Sequence, residues 1–98
     1  MIVGACRIRL HLPASHSLKD KRQVVKSVLA RVRAQFEVSA NEVDDLEVWQ
    51  LATIGLTYAS NDASHAQDIL ERAARYIEES RPDVEITDVQ IDVHRLLE

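Results

Sequence analysis

The stretch Glu37–Ala59, EVSANEVDDLEVWQLATIGLTYA, alternates apolar and polar residues at its two ends and turns through acids in its middle. At the C-terminal end Ala52, Ile54, Leu56 and Tyr58 alternate with Thr53, Gly55 and Thr57. A period of two is the mark of a strand with one buried face. Glu37 to Val43 reads as a weaker strand, and Asp44 to Glu47 as the acidic connection between the two. The stretch is therefore expected to form an antiparallel hairpin with an irregular tip, and the segments flanking it decide the fold.

Upstream, Ser17 has the side chain of a helix N-cap, with Asp20 three residues on in a capping-box-like position. Leu18, Val25, Val28, Leu29, Val32 and Phe36 then recur at helical spacing, which predicts a helix from Ser17 to about Phe36 with one buried stripe. Downstream, Ser60, Asn61 and Asp62 offer N-caps to a second amphipathic helix carrying Ala66, Ile69, Leu70, Ala73 and Ile77, which ends before Pro82. Farther out, the even positions from Ile2 to Leu12 form an apolar face that Pro13 terminates. At the other end Val84 and Ile86 share one phase and Val89, Ile91 and Val93 the other, so a β-bulge or kink is expected near Asp88. Strand, helix, hairpin, helix, strand is the split βαβ order. With right-handed crossovers it predicts an α+β ferredoxin-like plait: a four-stranded antiparallel sheet with two helices on one face. Residues 1–98 are expected to form a single domain.

Of the 98 residues, 46% are apolar and 29% charged, so the chain can build a core and lacks the low hydrophobicity of disordered segments. Arg7 and Arg9 interrupt the apolar opening, so no export leader is expected. No apolar run approaches the ~20 residues of a membrane span. A single cysteine, Cys6, fits a reducing compartment, and the expected location is the cytoplasm. The net charge of −4 conceals two regions of opposite sign. Residues 1–36 sum to +7 and residues 37–98 to −11.

A local excess of cations matters more for binding than the bulk charge. Lys19, Lys21, Arg22, Lys26 and Arg33 lie on the first helix with scarcely any acid among them, a pattern suited to successive phosphates. Arg7 and Arg9 on the first strand extend the candidate surface, although Asp88, Gln90 and Asp92 on the last strand are placed to pair with them. The open-face positions Val3, Ala5, Arg7, Arg9, Thr53, Gly55 and Thr57 include no aromatic, which argues against base stacking on the sheet. Trp49 is a candidate interface anchor or a hairpin-packing residue. Glu42, Asp44, Asp45 and Glu47 lack the loop pattern of a cation site, and the four histidines match no zinc spacing. No metal, cofactor or catalytic residue is expected. Cys6 falls in the apolar phase of its strand, as a small buried hydrophobe.

SLKDKRQVVKSVLARVRAQFEVSANEV, the WQLATIGL segment and the SND at 60–62 together resemble the YlxP-like family, the bacterial domain-of-unknown-function family 503. The resemblance covers nearly the whole chain. It implies a ferredoxin-like fold in a small cytoplasmic protein, often encoded near translation and ribosome-maturation genes. The family's basic stretch falls on Ser17, Leu18, Lys19, Lys21 and Arg22, and its acidic and aromatic positions on Glu42 and Trp49. Glu37 and Val38 depart from the Asn-containing sequence common there. The function expected is a non-catalytic accessory factor contacting structured RNA or the ribosome through the basic first helix. The alternative is a homodimeric or small-ligand module using the open sheet face, and a small enzyme on that face is a minor third reading.

Overall fold

The computed structural model describes all 98 residues. Its elements are β1 (Ile2–His11), α1 (Leu18–Gln35), β2 (Ser39–Asp44), β3 (Leu51–Ser60), α2 (Ala63–Ser80) and β4 (Glu85–Arg95). The strands form one antiparallel sheet in the order β2-β3-β1-β4. The ferredoxin-like plait expected from the sequence is the fold observed.

The alternation in β1 sends Ile2, Cys6, Ile8, Leu10 and Leu12 to the helix side, where each is buried. Their register with Ala52, Ile54 and Leu56 of β3 continues that apolar face across the central pair. Val25, Val28, Leu29 and Val32 of α1 and Leu70, Ala73, Ala74 and Ile77 of α2 close over it in one continuous core. Burial of such side chains stabilises a fold by about 1.5 to 3 kcal/mol each, so this single interface holds the sheet and both helices together.

Each helix begins on a side chain that satisfies a free backbone donor. Ser17 Oγ accepts from Asp20 N, and Asp62 Oδ1 accepts from His65 N. The Asp20 carboxylate reaches back one residue beyond the usual capping box, accepting from His16 N. At the other end of α1 the ring of Phe36 meets Tyr76 of α2 edge-on, with centroids 5.7 Å apart.

Two departures from the expected boundaries are local. Strand pairing of β2 begins at Ser39 rather than Glu37, although Val38 ahead of the ladder is already buried in the same phase as Ala40. The bulge of β4 falls on Thr87, between the pairs Arg9↔Asp88 and Leu10↔Ile86, one residue from the expected position. Thr87 Oγ1 donates to the Arg9 carbonyl there, so the extra residue is tied to its neighbour. The bulge lets both apolar phases of the last strand serve the same core face, which the sequence signals by its phase change.

Candidate nucleic-acid interface

An α-helix advances about 100° per residue, and that rotation divides the basic residues of α1 into two sets. Lys19, Arg22, Lys26 and Arg33 fall within an arc of about 60° on the outer side. Lys21 lies about 200° from Lys19, in register with Val25, Val28 and Val32 on the inner side. Burial follows the rotation: Lys19, Arg22, Lys26 and Arg33 are exposed and Lys21 is fully buried.

Lys21 is thus not part of a phosphate-binding surface, contrary to the sequence expectation. Its Nζ lies 2.9 Å from Glu42 Oε2 on β2 and donates to the carbonyl of Asp45 in the hairpin tip. No hydrogen bond of good geometry reaches that carboxylate oxygen, so the contact with Glu42 is chiefly one of charge. An ammonium group enters an interior only when it is paired and hydrogen-bonded. β2 supplies the charge partner, Glu42, and the tip the carbonyl, Asp45.

The acidic tip itself is used structurally. Asp45 adopts a φ of 59°, in the left-handed region that Asp tolerates better than most residues. Its carboxylate accepts from Thr53 Oγ1 at 2.7 Å, and its carbonyl also accepts from Val48 N. Asp44 Oδ1 accepts from Asp45 N. Gln50 donates through Nε2 to the carbonyls of Pro13 and Ser15, fastening the far side of the tip to the β1–α1 connection. Trp49 is held out of the core on this loop and is 54% exposed, with Leu46 and Val48 exposed beside it.

The outer set differs in how free its charges are. Arg33 donates to the carbonyl of Ala40 on β2, which draws its guanidinium towards the sheet edge. Arg31, on another side of the helix, donates to the Ser80 carbonyl. Lys19, Arg22 and Lys26 take part in none of the ion pairs of the chain. They follow i, i+3, i+7 spacing and span about 10 Å along the helix. On the open sheet face Arg7 lies 3.8 Å from Asp88, whereas Arg9 has no carboxylate within that range. The strand residues therefore face away from the helix layer and do not join the α1 stripe.

Several other titratable groups are paired or buried. His11 lies 3.1 Å from Glu85, and His65 3.1 Å from the Tyr58 hydroxyl. Burial pushes the Cys6 thiol up from its ordinary value of 9.0 to about 11, keeping it protonated and unreactive at neutral pH. Arg81 bridges Ser27 of α1 and Asp83, and its hydrogen bonds hold the Asp83 carboxyl below the usual range.

The family model described as "Protein of unknown function (DUF503)" matches residues 3–91. The chain belongs to the DUF503 family. A curated relative, "Uncharacterized protein YlxP" of Bacillus subtilis (strain 168), is 35% identical over 71 residues, which cover 72% of this chain and 76% of the relative. Among solved structures, a de novo designed protein with a ferredoxin fold, determined by solution NMR, superposes with a TM-score of 0.56 at 14% identity, covering 96% of this chain and 84% of the design. The de novo designed protein Foldit4 gives 0.51 at 16% identity, covering 98% of each chain. At such identities these likenesses speak to the fold alone. Within the DUF503 domain, two positions singled out in the sequence as its basic and acidic marks, Lys21 and Glu42, are the two that meet.

Proposed function

We propose that this DUF503 protein is a non-catalytic accessory factor that contacts structured RNA or the ribosome through the outer face of α1. Lys19, Arg22 and Lys26 hold the phosphates in this reading, with Arg33 at the far end of the same stripe. The supporting observation is that three exposed cations share one face of a rigid helix and none is neutralised by a carboxylate of the chain. Solvated helix faces ordinarily mix signs, and an unpaired row of one sign is what a polyphosphate backbone neutralises.

Recognition of this kind reads backbone and shape, with little base readout. The fixed axial spacing of about 10 Å between Lys19 and Lys26 suits phosphates held by secondary structure better than a mobile single strand. The acidic remainder of the molecule repels RNA from its other faces and so restricts docking to this one.

The test is charge reversal on the stripe with a matched control. Arg22→Glu together with Lys26→Glu is expected to remove binding to purified ribosomal particles while leaving the fold intact. Arg75→Glu, on the exposed side of α2, is expected to leave it unchanged. Equal loss in both variants, or loss in neither, contradicts the assignment.

A further inference from the structure

The sheet carries helices on one face only, and the open face has two charged side chains without partners. Arg7 takes Asp88 at 3.8 Å, which leaves Arg9 with no acid, and Asp92 has no cation. Asp92 stands level with Ala5, and Arg9 two residues beyond Arg7 in the opposite direction. Arg7 Nε is buried without a hydrogen-bond partner. Ala5, Gly55 and Thr57 are the small floor residues of a shallow depression of about 240 Å³ that Arg7, Gln90 and Asp92 also line.

We infer that this face pairs with the same face of a second copy of the chain, about a two-fold axis that crosses the strands at the level of Arg7. Such an axis reverses the order of positions along β1. Arg9 of one copy then stands over Ala5 of the other, above the depression and beside Asp92, and the reciprocal contact forms at the same time. Facing sheets lie about 10 Å apart, a gap that an arginine side chain crosses to reach a carboxylate. The small floor residues leave room for it.

The same operation has an apolar consequence. Leu51, 43% exposed and in the open-face phase opposite His11, is brought over Ala59 and Val3 of the second copy. Val43, 54% exposed where it lies against Gly55, is covered at the border of the contact. Arg7 sits near the axis and faces its own symmetry mate, but Asp88 already offsets its charge. The operation also lays Asp88 over Asp92 of the second copy, and Arg9, the cross-strand neighbour of Asp88, stands beside both carboxylates and offsets them. The two Arg9–Asp92 contacts are the charge complementarity that selects a second copy as the occupant. The pairing is independent of the RNA reading and leaves both α1 helices outside.

Size-exclusion chromatography with light scattering tests it. The wild-type chain is expected to run at twice its 11.1 kDa mass at high micromolar concentration. Arg9→Glu alone and Asp92→Lys alone are each expected to run as monomers. A one-to-one mixture of the two restores the dimer, because the two reversed charges meet in one contact and the native Arg9 and Asp92 meet in the other. The double variant Arg9→Glu/Asp92→Lys dimerises alone, since both of its contacts then join a reversed pair. A monomeric wild type, or a dimer that neither reversal weakens, overturns the proposal. So does failure of both the mixture and the double variant to recover the mass. RNA binding by any of these variants has no bearing on the outcome.

Discussion

Lys19 and Lys21 are two residues apart in the chain and on opposite sides of one helix, and their chemistry diverges accordingly. Lys21 is a structural cation that joins α1 to the hairpin tip through Glu42 and the Asp45 carbonyl. Removing one member of a buried pair leaves the other uncompensated, at a cost of about 3 to 5 kcal/mol. Lys21→Met is therefore expected to lower the denaturant midpoint sharply, and Lys21→Met/Glu42→Leu to recover much of the loss. Equal stability of Lys21→Met and wild type in urea denaturation contradicts the pairing. Helical rotation alone makes this residue legible in the sequence, since position 21 falls between Leu18 and Val25 of the apolar stripe. Its carboxylate partner, 21 positions away in another element, is not legible without the fold. Cys6 is legible, because strand phase alone buries it. Its raised thiol pKa carries a pH dependence. Above pH 9.0 the unfolded thiol ionises while the folded one keeps its proton up to about 11, so stability falls as pH rises through that window. Cys6→Ala is expected to flatten this alkaline slope in denaturation series at pH 8 to 11, and an unchanged slope contradicts the assignment.

Two glycines lie where neighbouring elements come close, and these contacts differ in kind. A Cβ on Gly4 of β1 would lie 2.7 Å from Leu70 Cδ1 of α2, in a core where Leu70 is fully buried. A Cβ on Gly55 of β3 would lie 2.9 Å from Val43 Cγ1, a side chain at the exposed border of the sheet that is free to move. Overpacking a closed core costs about 1 to 3 kcal/mol. Gly4→Ala is expected to lower the melting temperature by several degrees and Gly55→Ala to change it much less; the reverse order in calorimetry contradicts this packing. Strand and helix positions followed from periodicity, which is a local property, and the Thr87 bulge followed from a break in it. The hairpin tip did not. Its geometry depends on Lys21, Thr53 and Gln50, whose side chains come from three separate segments. For the same reason, the exposure of Trp49 was open in the sequence and is decided only by how the tip is fastened.

At the scale of the molecule, the division of charge along the chain becomes a division in space. The residues that make positions 1–36 strongly basic separate into a buried lysine, open-face arginines, an outer helical stripe, and Arg31 on another side of α1. Only the stripe gathers several exposed cations on one face with no carboxylate paired to them. The fold beneath it is simple enough that designed sequences with about 15% identity share it, so its architecture alone carries no function. Function has to be sought in what the surface adds. The most direct measurement is the affinity of the wild-type protein for ribosomal particles across a salt series from low to physiological ionic strength. Phosphate contacts by Lys19, Arg22 and Lys26 predict a logarithmic fall in affinity with a slope of about −2 to −3, and loss of binding at every salt concentration in the Arg22→Glu/Lys26→Glu variant. No binding at low salt, or a wild-type slope that the double variant leaves unchanged, contradicts an RNA-contacting role for α1.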